Sequence, residues 1–232
     1  MTTRDVLSYL KKHGSSDVIN QMKHFGIESQ KSFGNTALDL RTLHKRIGTD
    51  HDLALLLWKT GYYEARIVAA LIADPDRMTG RMMDSWAKEF DSWAVCDACC
   101  VELFCYTVHA VPKVFKWSTH ADEFVKRAGF VLIPALAIHR KELDDDIFRS
   151  FFPLIVRESS DKRNFVRKGA NWALRAIGKK NPVLHTEALS IARQLSRQPN
   201  ATARWIGTDA IKDLQSESTR RRFARLKEKK TQ

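Results

Sequence analysis

Two groups of side chains have the types and spacing to do chemistry. The first is Trp93 and Asp97, in the stretch Phe90-Asp91-Ser92-Trp93-Ala94-Val95-Cys96-Asp97. Four residues apart on a helix, they share a face with Cβ atoms about 5–6 Å apart. Aspartate is a poor residue for a helix interior. In this apolar setting it must be paired, solvated at a cleft, or functional. The structural alternative is a capping Asp97, or one ion-paired to Lys88 or Arg127. The functional one uses a carboxylate whose ordinary pKa of about 3.9 leaves it charged at neutral pH. Such a group stabilises a nearby positive charge, and an indole face adds its ring quadrupole. The second group is cysteine: Cys96, Cys99, Cys100 and Cys105 fall within ten residues, with Cys96 and Cys99 as C-x-x-C. Zinc would need two further ligands at suitable spacing. Cys100 points elsewhere on a helix than Cys99, and His109 is the nearest histidine. Buried thiols on a packed helix are the expectation, with no metal and no cofactor.

These residues need elements to hold them, and the pattern is helical nearly throughout, with ten glycines and six prolines in 232 residues. The spacing predicts helices over 50–60, with Leu53, Leu56 and Leu57 on one face, and over 62–73, with Ile67, Ala70 and Leu71. Further helices are expected over 79–90, capped by Thr79 and carrying Met82, Met83 and Trp86, and over 93–106. The apolar run 120–138 reads as one helix or a pair, kinked at Pro134. Helices over 144–157, 160–178, 182–197, 200–214 and 219–229 follow, with boundaries at Asn181-Pro182 and Pro199-Asn200. Asp144-Asp145-Asp146 reads as charge favouring a helix N-terminus. Trp58, Trp86 and Trp117 are expected in the core; Trp205 fits core or groove. No alternating strand of useful length is evident.

Weak internal repetition accompanies the helices. Arg66, Arg127, Arg167 and Arg204 each stand near the start of an apolar helix, at separations of 61, 40 and 37 residues. Periods of this size suit paired-helix units that bury their apolar faces only by stacking. The fold class expected is therefore all-α: a right-handed superhelical solenoid of HEAT-like repeats, one domain over 1–232, with a concave basic face. Basic residues at exposed helix starts are the plainer account of the echo.

The formal net charge is +12. Nucleic acid is the commonest polyanion for a soluble basic chain, and phosphate neutralisation supplies affinity without sequence preference. A generally basic surface is the alternative. The stretch Thr219–Lys230 carries seven positive residues against one acidic; it fits a phosphate contact and a solvated helix end equally. No apolar run of about eighteen residues and no apolar leader is present, so a cytoplasmic protein, off the membrane, is expected. P-loop, dinucleotide and H-E-x-x-H motifs are absent.

Three blocks give a sharper reading: Ser92-Trp93-x-x-x-Asp97, Phe124-Val-Lys-Arg127-Ala-Gly-Phe, and Phe165-Val-Arg-Lys-Gly-Ala-Asn-Trp172-Ala-Leu-Arg175 running into Lys180-Asn181-Pro182. In content, order and separation they resemble the AlkD-like DNA alkylation-repair glycosylases, built of HEAT-like repeats, over about residues 5–215. The resemblance implies a catalytic aspartate at Asp97, sugar-contacting tryptophans at Trp93 and Trp172, and a cleft arginine at Arg127. It places a DNA-contacting turn at Gly34-Asn35-Thr36. Arg66, Arg167, Lys168, Arg175 and Arg204 complete the expected DNA contacts. Relatives often carry an aromatic where this chain has Ser92, a departure that bears on cleft shape.

The residue types suit the implied reaction. Alkylation at N3 or N7 makes a purine cationic and a good leaving group. Its departure leaves an oxocarbenium-like sugar that an ionised carboxylate stabilises, as in glycosidases. Asp97 would also orient water, the tryptophans would exclude it, and Arg127 would hold a phosphate. The expected partner is double-stranded DNA with alkylated bases, bound by a monomer associated with the nucleoid. Many base-excising enzymes flip the target base, whereas the resemblance implies sensing through backbone and sugar. Two other functions fit the same charge: a non-catalytic DNA-binding repeat protein for distorted or branched DNA, and a scaffold for acidic protein partners.

Overall fold

Helix starts are written locally, by side chains that accept the first free amides. Thr2 and Thr36 form capping boxes with Asp5 and Asp39. Asp50, Thr79 and Ser92 accept from Leu53, Met82 and Val95, and Asn181 and Asn200 cap two later helices. The computed structural model describes residues 1–29 and 31–231, with side chains to Arg225. The described residues form fourteen α-helices and one short 3-10 turn, with no strand. Backbone contacts group the chain into two compact units, Met1–Ala110 and Val111–Gln232.

The first unit contains α1 (Thr3–His13), α2 (Ser16–His24), α3 (Ala37–Ile47), α4 (His51–Lys59), α5 (Tyr63–Ile72), α6 (Gly80–Lys88) and α7 (Trp93–Glu102), then the 3-10 turn Phe104–Tyr106. Helix α5 is its axis, packed on α1, α3, α4 and α7. Seven of its ten residues are buried, so it lacks a polar face. Trp58 and Trp86 stack at 4.0 Å between ring centroids, closed by Phe90 and Phe104. The shared face expected of the 50–60 helix holds for Leu53 and Leu57, whereas Leu56 is 53% exposed. The helix from Trp93 ends at Glu102 and tightens into the 3-10 turn rather than running to Tyr106.

The second unit holds α8 (Ala110–Trp117, starting on the boundary), α9 (Glu123–His139), α10 (Asp145–Arg157), α11 (Asn164–Gly178), α12 (Pro182–Ser196), α13 (Ala201–Leu214) and α14 (Glu217–Thr231). Helix α9 continues through Pro134, and α10 contains Pro153. Buried α11 packs on α9, α12 and α13. A Cβ on Gly207 would stand 2.3 Å from the Ser196 amide, so glycine there lets α13 approach the end of α12 closely. The helix read from Ser160 begins at Asn164. Residues 160–163 form a turn in which Asp161 accepts the Arg163 amide at 3.1 Å.

Candidate functional site

Helix α7 carries both halves of the first chemical group. Ser92 is its N-cap and is 1% exposed, which explains a small hydroxyl residue at that position. Trp93 is thus the first helical residue, and its indole Nε1 donates to the Phe25 carbonyl at 3.1 Å. Asp97 lies one turn on and is partly exposed, while Val95, Cys96, Cys99 and Cys100 of the same helix are buried. Burial and then the neighbouring Cys96 push the Cys100 thiol well up, with the Asp97 carboxylate adding to the effect. All four thiols are buried and unlinked, and no metal-holding cluster occurs among the described residues.

The turn read as a DNA contact is built around an anion of the protein's own. Glu64, fully buried on α5, accepts the Phe33 amide at 3.0 and 3.1 Å, the Gly34 amide at 2.7 Å and, more loosely, the Asn35 amide at 3.4 Å. The Ser32 hydroxyl donates to it at 2.6 Å. Gly34 takes φ +77°, and a Cβ there would meet the Ser15 carbonyl oxygen at 2.0 Å. Asn35 is 5% exposed and donates its side-chain amide to Leu10 at 3.1 Å, while Thr36 is exposed and caps α3. Asn35 lines a cavity of about 220 Å³ together with Arg41 of α3 and Ala98 and Glu102 of α7. The turn and the helix that bears Asp97 therefore meet in the first unit.

The four echoed arginines occupy equivalent places, at the fourth or fifth residue of α5, α9, α11 and α13. Three of them spend hydrogen bonds on backbone carbonyls. Arg66 donates to Glu89 O at 3.0 Å and meets the Glu89 and Asp91 carboxylates at 3.1 and 3.5 Å. Arg127, 6% exposed, donates to Phe165 O at 2.8 Å. Arg204 donates to Gln198 O at 3.2 Å and to Pro199 O. Arg167 bonds Asn164 at 3.2 Å and lies 4.9 Å over the Trp205 ring. The neighbouring Lys126 is spent in an acidic cluster, 2.7 Å from Glu158 and 3.2 Å from Asp161. The hydrogen bond from Arg163 is the chief reason that Asp161 falls to about 2.

Helix α11 brings the remaining candidates together. Lys168, Trp172, Arg175 and Lys179 recur at spacings of four, three and four, which is one face of a helix. Arg127 packs against α11 at Gly169, where an added Cβ would lie 3.6 Å from Arg127 Cγ. Trp172, Arg175, Lys179 and Lys180 line a second cavity of about 220 Å³. Its remaining cation is Arg222 of α14, within the basic stretch Thr219–Lys230. Arg175 is held loosely, 3.7 and 4.0 Å from Asp209 and Asp213.

One solved structure aligns with TM-score 0.77 at 19% identity over 90% of this chain and 94% of its own. It is described as "a new family of proteins related to the HEAT-like repeat DNA glycosylases with affinity for branched DNA structures". That likeness gives this chain the HEAT-like helical fold. No curated protein matches it. The family model for DNA alkylation repair enzymes matches residues 6–214, nearly the whole length, and the chain belongs to that family.

Proposed function

We propose that this chain is a monofunctional DNA glycosylase, hydrolysing the N-glycosidic bond of N3- and N7-alkylated purines in duplex DNA. Asp97 carries the reading. It is the partly exposed acid of an apolar helix, one turn from an indole, in a chain of the DNA alkylation repair family. In this scheme the carboxylate stabilises the oxocarbenium-like sugar and directs water at it. Trp93 and Trp172 are the proposed sugar contacts, and Arg127, steadied by the Phe165 carbonyl, the proposed phosphate contact. Asn35, Thr36, Arg66, Arg167, Lys168, Arg175 and Arg204 are the proposed DNA contacts. Among these, exposed Lys168 and loosely paired Arg175 have the most capacity to spare. The monomer acts without cofactor, in the cytoplasm on nucleoid DNA.

The test is base release from a duplex carrying 7-methylguanine, wild type against Asp97→Asn. Loss of one preorganised charge-stabilising group costs about 100-fold or more in rate. A variant that folds and cleaves at the wild-type rate removes Asp97 from this role. A second reading draws on the solved relative described as having affinity for branched DNA. A non-catalytic protein of that kind would bind a four-way junction tightly and release no base even from the most labile lesion.

A further inference from the structure

Helix α14 stands apart in sequence from everything the family match explains. The match ends at residue 214, and α14 begins at Glu217. It is nonetheless docked on the second unit. Thr219 is 2% exposed and donates to the Asp213 carbonyl at 2.9 Å. Phe223 meets the His185 ring edge-on at 4.9 Å. Arg222 donates Nε to the Lys179 carbonyl at 2.9 Å, at the C-terminal end of α11. That bond orients the side chain, and among the described residues nothing bonds its Nη groups, which stand at the rim of the cavity walled by Trp172, Arg175, Lys179 and Lys180. Among the described residues no carboxylate lines this cavity.

The chemistry of the lining defines what fits. Lys179 is paired to Asp213 at 2.5 Å and Lys180 stands 3.8 Å from Asp145, so Arg175 and Arg222 are the cations beside the flat indole with donors to offer, and that pairing suits a ring bearing a phosphate. Stacking on the ring and charge at the phosphate are the two terms with which proteins hold a nucleotide without reading its sequence. The size agrees: a cavity of about 150 Å³ admits benzene, and this one is about 220 Å³. We propose that α14 is an added DNA-binding element. It supplies Arg222 as a phosphate contact for one nucleotide of a DNA strand whose sugar or base lies on Trp172. The inference rests on the reading of Trp172 as a DNA-facing residue, and not on the chemistry assigned to Asp97.

The experiment is fluorescence anisotropy with a labelled duplex over a salt series, in the full chain carrying Asp97→Asn so that no base is released. Arg222→Ala is compared with Arg221→Ala, which removes the same charge from an exposed residue of the same helix paired to Glu217. Arg222→Ala is expected to weaken binding about tenfold, as for one lost charge-assisted bond. It should also lower the salt slope by about one. Arg221→Ala should stay within about twofold of its parent. Equal losses in the two variants, or none in either, overturn the proposal. A fall in thermal midpoint with unchanged affinity overturns it too, because Arg222 then only caps α11. Competition by free deoxynucleoside monophosphate that depends on Arg222 marks a single-nucleotide site; its absence, with the duplex effect intact, marks recognition of DNA backbone. Base release that survives Asp97→Asn would sink the proposed reaction and leave this binding result standing.

Discussion

Glu64 is the side chain on which the first unit's candidate turn depends, and its removal gives a figure that can be worked through. The carboxylate is fully buried and accepts from Ser32, Phe33, Gly34 and Asn35. In Glu64→Ala these donors lose their acceptor. The Ser32 hydroxyl can turn to solvent, and the Asn35 contact at 3.4 Å is weak, so the Phe33 and Gly34 amides set the size. A buried donor left unsatisfied costs about 1–3 kcal/mol. Against this, removing the charge returns part of the desolvation cost of a buried ion. The balance is about 3 kcal/mol of lost stability. Glu64→Gln keeps the shape and one acceptor oxygen but turns an amide donor toward other donors, and should cost about 1–2 kcal/mol.

Urea unfolding followed by tryptophan fluorescence measures both. With m of about 1–3 kcal/mol/M, Glu64→Ala should lower the midpoint by about 1 M or more at unchanged m. A shift worth less than about 0.5 kcal/mol would refute the argument, because the turn would then satisfy its amides without the carboxylate. The same variants test the turn's part in DNA binding. If Asn35 and Thr36 face phosphate, Glu64→Gln weakens duplex affinity while Trp172 and Arg222, in the other unit, keep their contributions.

Two further outcomes follow from the charges and thiols. Asp161 titrates at about 2 when folded, against an ordinary 3.8. Its stabilisation is therefore complete above about pH 4 and fades as pH falls through 2. Asp161→Asn should cost about 1–2 kcal/mol at pH 7, after allowance for solvent screening, and much less at about pH 2; unfolding free energies that differ equally at both pH values would contradict this. Burial, more than any neighbour, pushes the Cys99 and Cys100 thiols well up. The native protein should accordingly show no fast-reacting thiol toward a disulfide reagent and four after unfolding, and a chelator should leave its thermal midpoint unchanged; a rapid native burst would count against the packed-thiol reading.

What the sequence made legible was local. Asp50, Thr79, Asn181 and Asn200 cap helices because the signal lies within three residues of the helix it starts. The first three helices are faint for a matching reason. Helix α1 buries only Val6 and Leu10, and α2 only Met22, so apolar periodicity has little to show. The run around Pro134 forms one helix rather than a pair because α9 is buried along most of its length, and packing outweighs one missing amide. Glu64 could not be picked out: next to Tyr63 it looks like ordinary helix-start charge, and its partners stand about thirty residues away. The echo of Arg66, Arg127, Arg167 and Arg204 was visible as spacing. What each guanidinium does was not, because that is decided by carbonyls and rings on other elements.

That last point bears on how a +12 chain meets DNA. Net charge counts cations, but a phosphate contact needs a donor that folding has not already used. Arg66 is held between two carboxylates and a carbonyl, Lys126 in an acidic cluster, and Arg204 on the carbonyls of Gln198 and Pro199. These residues still add to the long-range field that steers DNA toward the protein, yet their donors are largely committed. The α11 stripe and Arg222 differ. Lys168 is exposed, Arg175 stands 3.7 Å or more from its acids, and Arg222 bonds the Lys179 carbonyl through Nε, although Lys179 itself is paired to Asp213 at 2.5 Å. Charge reversal at Arg66 and Arg204 should thus first cost stability, whereas charge removal at Lys168, Arg175 and Arg222 should first cost affinity and salt dependence. The two kinds of cation are separable by measuring the folded fraction and the DNA-bound fraction in the same variant.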